Sequence, residues 1–308
     1  MRTAFFETLE QLAESDDRIT LMVGDLGFGV VEGWSKRFPA RFVNVGVAEQ
    51  NMAGLAAGMA LCGKTVFTYS IANFPTLRCL EQVRNDICHH RANVKIVAVG
   101  GGFCYGSLGM SHHAIEDLGI MRMLPELLVI APADPTETRA ATQAIAAYEG
   151  PCYLRLGRAG EPVVHVGTIN FQLGKAVRVR DGKDLTIIST GGMLRTACDV
   201  AHVLAEEGIN PRVLSMHTIK PLDVNAVIAA AQETHFIFTL EEHSIFGGLG
   251  GAVAEVVAES GIPVRFRRIG VPPISNSHVG SQEYLRDQFD LSPKKVLATI
   301  RANLNLAR

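Results

Sequence analysis

The sequence predicts an α/β protein of two domains, each a mostly parallel sheet flanked by helices. Three observations carry this. At 308 residues the chain exceeds the usual size of one core. Short apolar runs of strand length alternate with amphipathic runs of helix length, the rhythm of a parallel sheet covered on both faces. That rhythm breaks once, at GRAGEPVVHV, Gly157 to Val166, and then restarts. The boundaries expected are 1–165 and 166–308.

The first half opens with an amphipathic helix over Thr3 to Glu14 and a strand at Ile19 to Val23. Val43, Val45 and Val47 continue as strand, and the small residues Ala53, Gly54, Ala56, Ala57 and Gly58 make a helix able to pack closely. A strand at Thr65 to Tyr69, a helix over Leu77 to His89 and a strand at Val94 to Val99 follow. A glycine-rich loop then leads to a helix near Ala114 to Met121, a strand at Leu127 to Ile130 and a helix from Asp134 to Ala147.

Past the break, a short extended stretch runs to Arg180. Strands are expected at Leu185 to Ser189, Arg212 to Met216, Phe236 to Leu240 and Val264 to Ile269. Helices at Leu194 to Glu207, Val224 to Gln232 and Gly248 to Ser260 separate them, and a last helix starts at SPKK with Ser292 as its cap.

Composition narrows the function classes. Twenty-nine basic residues against thirty-one acidic ones give a formal charge of -2, and no basic block suggests nucleic acid or an anionic membrane. The acidic N-terminus does not read as a secretory signal, and the apolar stretch Ala53 to Cys62 is too short to cross a bilayer. Six cysteines without a CxxC pair read as buried, reduced thiols of a cytoplasmic protein. A small molecule or another protein is the expected partner.

The run FVNVGVAEQNMAGLAAGMA places one carboxylate, Glu49, where an apolar strand meets a small-residue helix. Carboxyl ends of strands are where open α/β sheets bind ligands. Alternatively, Glu49 only caps the helix, where a negative charge is favoured by roughly 0.3–1 kcal/mol. Asp25 ends another strand in the loop GDLGF, where turn formation is its other reading. A third loop, Val99 to His113, is poor in side chains and allows close backbone approach to a ligand before ending in His112 and His113. Adjacent histidines cannot both face one metal from a regular element. No GK[ST] follows the glycines, and GxSxG is absent, so neither a P-loop nor a nucleophile elbow is present.

The order of motifs supplies what the single signals lack. The AEQN run, preceded by an Asp-Leu loop, is followed by TVFTYSIANF and a helix with EQVRND. Then come GGGFCYGSLGMSHHAIEDLGIMR, VIAPADPTETRAA, GPCYLRLGRAGEP and EEHSIFGGLGGAVAE. This series resembles, over essentially the whole chain, the pyrimidine-binding and C-terminal domains of transketolases, which use thiamine diphosphate.

The resemblance implies residue roles. Glu49 matches the glutamate that hydrogen-bonds N1' of the cofactor's aminopyrimidine and so favours the imino tautomer that takes the proton from C2; burial suits such a relay. Phe74 matches the aromatic stacked on that ring, and Asp25 the aspartate beside the cofactor. Arg2 and Arg158 match phosphate-binding arginines, whose donor fork suits a phosphate. His112, in GMSHH, matches the histidine that reaches substrate hydroxyls. Each also has a bland reading: a core Phe, a surface Arg, a satisfied loop His.

Two departures bear on substrate. Where the family carries an acidic residue that reads hydroxyl stereochemistry, this chain has Leu108, and where a histidine is common it has Gly100. An apolar side chain cannot accept a hydroxyl hydrogen bond. The departures point to a modified or nucleotide-linked sugar rather than an ordinary pentose phosphate.

The GDG segment with which the family holds Mg2+ or Ca2+ and the diphosphate is also missing. The resemblance therefore implies a C-terminal subunit with no metal ligands of its own. It would act in an α2β2 assembly with an N-terminal subunit, moving a two-carbon ketol unit from a ketose to an aldose. The alternatives are the β subunit of a 2-oxoacid dehydrogenase and deoxyxylulose-phosphate synthase-like condensation. For His243, in the second domain, a structural or assembly role is expected.

Overall fold

Seven strands form one sheet and five another in a computed structural model that describes residues 1–274 and 277–305. The first sheet is built from β1 (Ile19–Val23), β2 (Phe42–Asn44), β3 (Thr65–Ile71), β4 (Val94–Val99), β5 (Leu128–Ile130) and β6 (Cys152–Leu156). The second holds β7 (Val177–Arg180), β8 (Leu185–Ser189), β9 (Pro211–Ser215), β11 (Phe236–Ser244) and β12 (Arg265–Val271). Between β9 and β11 the chain leaves its own sheet. Strand β10 (Thr218–Lys220) pairs antiparallel with β5, giving the first sheet the order β10-β5-β6-β4-β3-β1-β2.

The helices are α1 (Arg2–Ser15), α2 (Glu32–Arg37), α3 (Glu49–Leu61), α4 (Leu80–Gln82), α5 (Asp117–Met123) and α6 (Pro135–Ala147), then α7 (Met193–Glu206), α8 (Val224–Glu233), α9 (Leu249–Ser260), α10 (Gln282–Gln288) and α11 (Pro293–Asn305). A π-helical stretch, Val83–Cys88, continues from α4.

Period-two alternation gives the first sheet two apolar faces. Leu21, Val23, Phe67, Tyr69, Val97 and Val99 pack under α1 and α6, whereas Met22, Val66, Ile96 and Ala98 pack against α3 and the π-helical stretch. The second layer is continuous across the domains, because Leu214, Ile237, Val227 and Leu249 join it. The outer face of the second sheet closes on α7 and α11.

Several expectations change. Strand β2 stops at Asn44, because the Asn44 Oδ1 accepts the Gly46 N–H at 3.0 Å and Gly46 has φ 73°, which turns the chain out of the ladder. Val47 is consequently exposed, not part of a strand. Among the cysteines, all free, Cys62 is exposed at the end of α3 rather than buried. The Ser292 hydroxyl, expected to cap the last helix, donates to Asp287 at 2.8 Å. The break at Gly157 to Val166 has no regular structure, yet its end is fixed: the N–H groups of Val164 and His165 both donate to the Asp134 carboxylate at 2.8 Å.

Candidate active site at the ends of β1 and β3

The connection from β1 leads to β2 on one side, and β3 then lies on the other, so the strand order reverses between β1 and β3. Such reversals open a crevice at the carboxyl ends of the strands. Glu49, the first residue of α3, is 1% exposed within it. Its neighbours come from both strand ends. Oε1 accepts a hydrogen bond from the Ser70 hydroxyl, 2.9 Å away, and a Cβ added to Gly24 would lie 3.3 Å from the same oxygen. The carboxylate makes no bond to the N–H groups of α3, and α3 has no side-chain cap. Glu49 is therefore no hydrogen-bonded cap, although its charge sits in the first turn of α3.

The other carboxylate oxygen faces Arg78. Nη1 donates to Oε2 at 2.7 Å, and the guanidinium lies 4.5 Å from the centroid of Phe74. The half-buried Phe74 ring in turn meets the imidazole of His112 edge-on, with centroids 5.3 Å apart. Asn73 sets that geometry. Its side-chain amide donates to the carbonyls of Ser111 at 3.2 Å and His113 at 2.8 Å, fastening the histidine loop beside the aromatic.

Within the loop the two histidines part. His113 is buried, with Nε2 3.1 Å from the Gly106 carbonyl oxygen, while His112 stays half-exposed with Nδ1 2.9 Å from the Ser111 hydroxyl. Partial burial, with the neighbouring His113, holds the His112 imidazole below its ordinary value. It is thereby kept neutral near pH 7, able to accept or donate a hydrogen bond to a hydroxyl.

From His112 the line of side chains continues outward. The Tyr105 ring centroid is 6.5 Å from His112, and the Arg158 guanidinium carbon lies 5.6 Å from the centre of that ring. The Arg2 backbone N–H donates to the Arg158 carbonyl at 3.3 Å, which sets the two backbones side by side, and the Arg2 Nε is buried without a hydrogen-bond partner among the described residues. Asp25 takes a left-handed φ of 57° at the end of β1. It is fixed by a reciprocal pair with Asn44: its N–H donates to Oδ1 at 3.1 Å, and the Asn44 amide donates to its carboxylate at 3.0 Å.

The geometry fits a flat, nitrogen-rich heterocycle beside Glu49. Arg78 lays a planar cation bearing N–H donors over Phe74 and onto Glu49, the two contacts an aminopyrimidine would make. Arg78 itself is 42% exposed and reaches Glu49 from the solvent side. Sequence reasoning missed Arg78, Ser70, Asn73 and Tyr105. None of them left a periodic trace; Phe74 and Arg78 both lie in the turns between β3 and α4, where spacing along the chain does not report proximity.

Leu108 is exposed on its turn, and a Cβ at Gly100 would lie 2.2 Å from the Tyr105 ring. His243 is fully buried: it receives the Gly119 N–H on Nε2 at 3.1 Å and its Nδ1 is 2.7 Å from the Ser244 carbonyl oxygen. It ties β11 to α5 across the domains. A cleft of about 500 Å3 lies between the domains and reaches Arg158 but not Glu49 or Phe74. Its Arg155 and Arg286 are bonded to Asp117 and Glu242, so its positive charges are largely neutralised.

Residues 1–161 match the transketolase pyrimidine-binding domain, and residues 174–296 match the transketolase C-terminal domain. The chain belongs to the transketolase family. It is 42% identical to one subunit of an apulose-4-phosphate transketolase of Phocaeicola vulgatus, over 92% of this chain and 90% of that protein. It is 39% identical to a 6-deoxy-6-sulfo-D-fructose transketolase subunit, SqwH, of Clostridium sp. (strain MSTE9), over 96% of this chain and 92% of that one. A solved structure described as a split gene transketolase, inactive beta4 tetramer, superposes with a TM-score of 0.89 at 38% identity, covering 100% of this chain and 98% of its own. The family is one of thiamine diphosphate-dependent transferases, and this transketolase chain is similar throughout to separate subunits. No helix among the described residues is long and apolar enough to cross a membrane.

Proposed function

We propose that this chain is the C-terminal subunit of a split, cytoplasmic transketolase that transfers a two-carbon ketol unit from a ketose to an aldose. In this reading residues 1–165 are the pyrimidine-binding domain and 166–308 the C-terminal domain. A separate N-terminal subunit holds the diphosphate with Mg2+ or Ca2+, and the two kinds of subunit form an α2β2 assembly. The observation that carries the proposal is Glu49, a buried carboxylate bridged by a planar cation to the face of Phe74.

The residues of this chain then divide the work. Glu49 shares a proton with the pyrimidine nitrogen, and Ser70 holds the carboxylate in place for it. Phe74 stacks on the ring, a contact worth about 0.5–1.5 kcal/mol beyond burial. Asp25 borders the cofactor from the end of β1, its backbone pinned by Asn44. His112, neutral and beside Phe74, orients substrate hydroxyls. Arg158 and Arg2 hold a terminal phosphate with charge-assisted hydrogen bonds. Thiamine diphosphate, when bound, supplies the carbanion chemistry at C2.

The relatives named for apulose 4-phosphate and for 6-deoxy-6-sulfo-D-fructose support a substrate that departs from common pentose phosphates yet carries a terminal anion. To test the reading, the chain is purified alone and together with the partner subunit, and ketol transfer is assayed from hydroxypyruvate to phosphorylated aldoses. Activity only with the partner is expected. Robust transfer by the lone chain would falsify the split assignment, and oxidation of pyruvate with an artificial electron acceptor would replace it by the 2-oxoacid dehydrogenase reading.

A further inference from the structure

The loop between β4 and α5 lacks a polar reader at Leu108, but one stands three residues earlier. Gly100 has φ 89°, and a Cβ built there would fall 2.2 and 2.3 Å from two carbons of the Tyr105 ring. The ring therefore fills the space that a side chain at position 100 would take, and the bare glycine is what admits it. Tyr105 is half-buried against the core beneath α1, so its ring is held while its hydroxyl has no hydrogen-bond partner among the described residues. Arg158 stands 5.6 Å from the ring centre, and the His112 ring lies 6.5 Å away between centroids. A phenol in contact with both an arginine and a histidine carries the chemistry to bind a short anionic sugar.

We propose that Tyr105 is the specificity-determining residue of the site: its phenol hydrogen-bonds a hydroxyl of an acceptor aldose whose terminal oxyanion, phosphate or sulfonate, is held by Arg158 and Arg2. The inference rests on the transketolase reading and deepens it. A phenol both donates and accepts, unlike a carboxylate, and its rigid ring places the hydroxyl at a fixed distance from the anion subsite. Buried groups built to bond a substrate hydroxyl reject the analogue that lacks it more strongly than apolar contacts do.

The test uses the complex of this chain with its partner subunit, with hydroxypyruvate as donor. The acceptors are D-glyceraldehyde 3-phosphate, which has one hydroxyl, and 3-oxopropyl phosphate, which has none. Tyr105→Phe is expected to lower kcat/KM for the first roughly ten- to a hundredfold and leave the second within about twofold, the range of one hydrogen bond lost. Gly100→Ala, which displaces the ring, should erode the same preference. Binding of inorganic phosphate to the chain by calorimetry should be unchanged in Tyr105→Phe and lost in Arg158→Ala. Equal loss on both acceptors, loss on neither, or loss of phosphate binding in Tyr105→Phe overturns the assignment. A wild-type complex that transfers to neither acceptor and gives no signal with any phosphorylated aldose overturns the underlying reading, and Tyr105 falls with it.

Discussion

Arg78 donates to Glu49 at 2.7 Å while its guanidinium lies 4.5 Å from the centre of the Phe74 ring. One flexible side chain thus bridges the two residues on which a pyrimidine is expected to sit. The buried carboxylate keeps a counter-charge without a ligand, which matters because an unpaired buried charge is costly.

Replacing Arg78 by alanine should separate stability from ligand binding. Because Arg78 is partly exposed, its loss should cost only about 1–2 kcal/mol in urea unfolding of the chain. The stabilisation gained from thiamine diphosphate in the assembled enzyme should increase, since no cation has to be displaced. An Arg78→Ala enzyme stabilised less than wild type would refute the bridging role.

Glu49→Gln keeps the size and the Ser70 contact but cannot share a proton in the same way. Turnover of the assembled enzyme should fall at least about 10²-fold, the lower end for a positioned proton-transfer group. Analytical ultracentrifugation should show assembly unchanged. Wild-type turnover in this variant would remove Glu49 from the mechanism.

Arg158→Ala should act on charge rather than on chemistry. Loss of a charge-assisted hydrogen bond worth about 1.5–3 kcal/mol should raise KM for phosphorylated aldoses roughly ten- to a hundredfold. Unphosphorylated aldoses should be used as before, and a matching rise in their KM would place Arg158 elsewhere.

Asn73→Ala tests whether the histidine loop needs its fastening. Its amide makes two bonds to loop carbonyls, so kcat/KM should fall about tenfold while the melting temperature moves by only a few degrees. Unaltered kinetics would show that the loop positions His112 without help.

His217 sets a pH dependence at the domain junction. Burial, with the nearby His165 charge, pushes its imidazole down to about 3. Above pH 6.5 neither state protonates it and its contribution is constant. Below 6.5 the unfolded chain takes up a proton that the folded one refuses, so stability falls as the pH drops toward 3, by up to about 1.4 kcal/mol per unit. Phe171 stacks on its ring at 4.0 Å, a contact that His217→Phe preserves. Buried Glu241, raised to about 7, works in the opposite direction between 4.5 and 7, so the informative quantity is the wild-type minus His217→Phe difference. A difference that stays flat between pH 6.5 and 4 would contradict the burial effect.

The sequence revealed strands and helices wherever period and length agreed, as at β4 and α6, and the motif order carried the family. It failed where a side chain or a distant strand decides the backbone. Asn44 ends β2 through its own side chain, and β10 is three residues long, with a partner almost ninety positions earlier. Of the candidate site, Glu49, Phe74 and His112 form one connected line through contacts with Arg78 and with one another, whereas Asp25 stands apart with Asn44. Tyr105 was hidden because its meaning depends on Gly100, a residue defined by what it lacks.

Strand β10 belongs by sequence to the second half of the chain and by hydrogen bonding to the first. Cutting the connector between Gly157 and Val166 should therefore leave a nicked protein whose halves travel together through size exclusion. Residues 1–165 made alone would present the edge of β5 bare, an invitation to wrong strand pairing and aggregation. For anyone dividing this chain for crystallography or engineering, the apparent linker is a place to insert rather than a place to truncate.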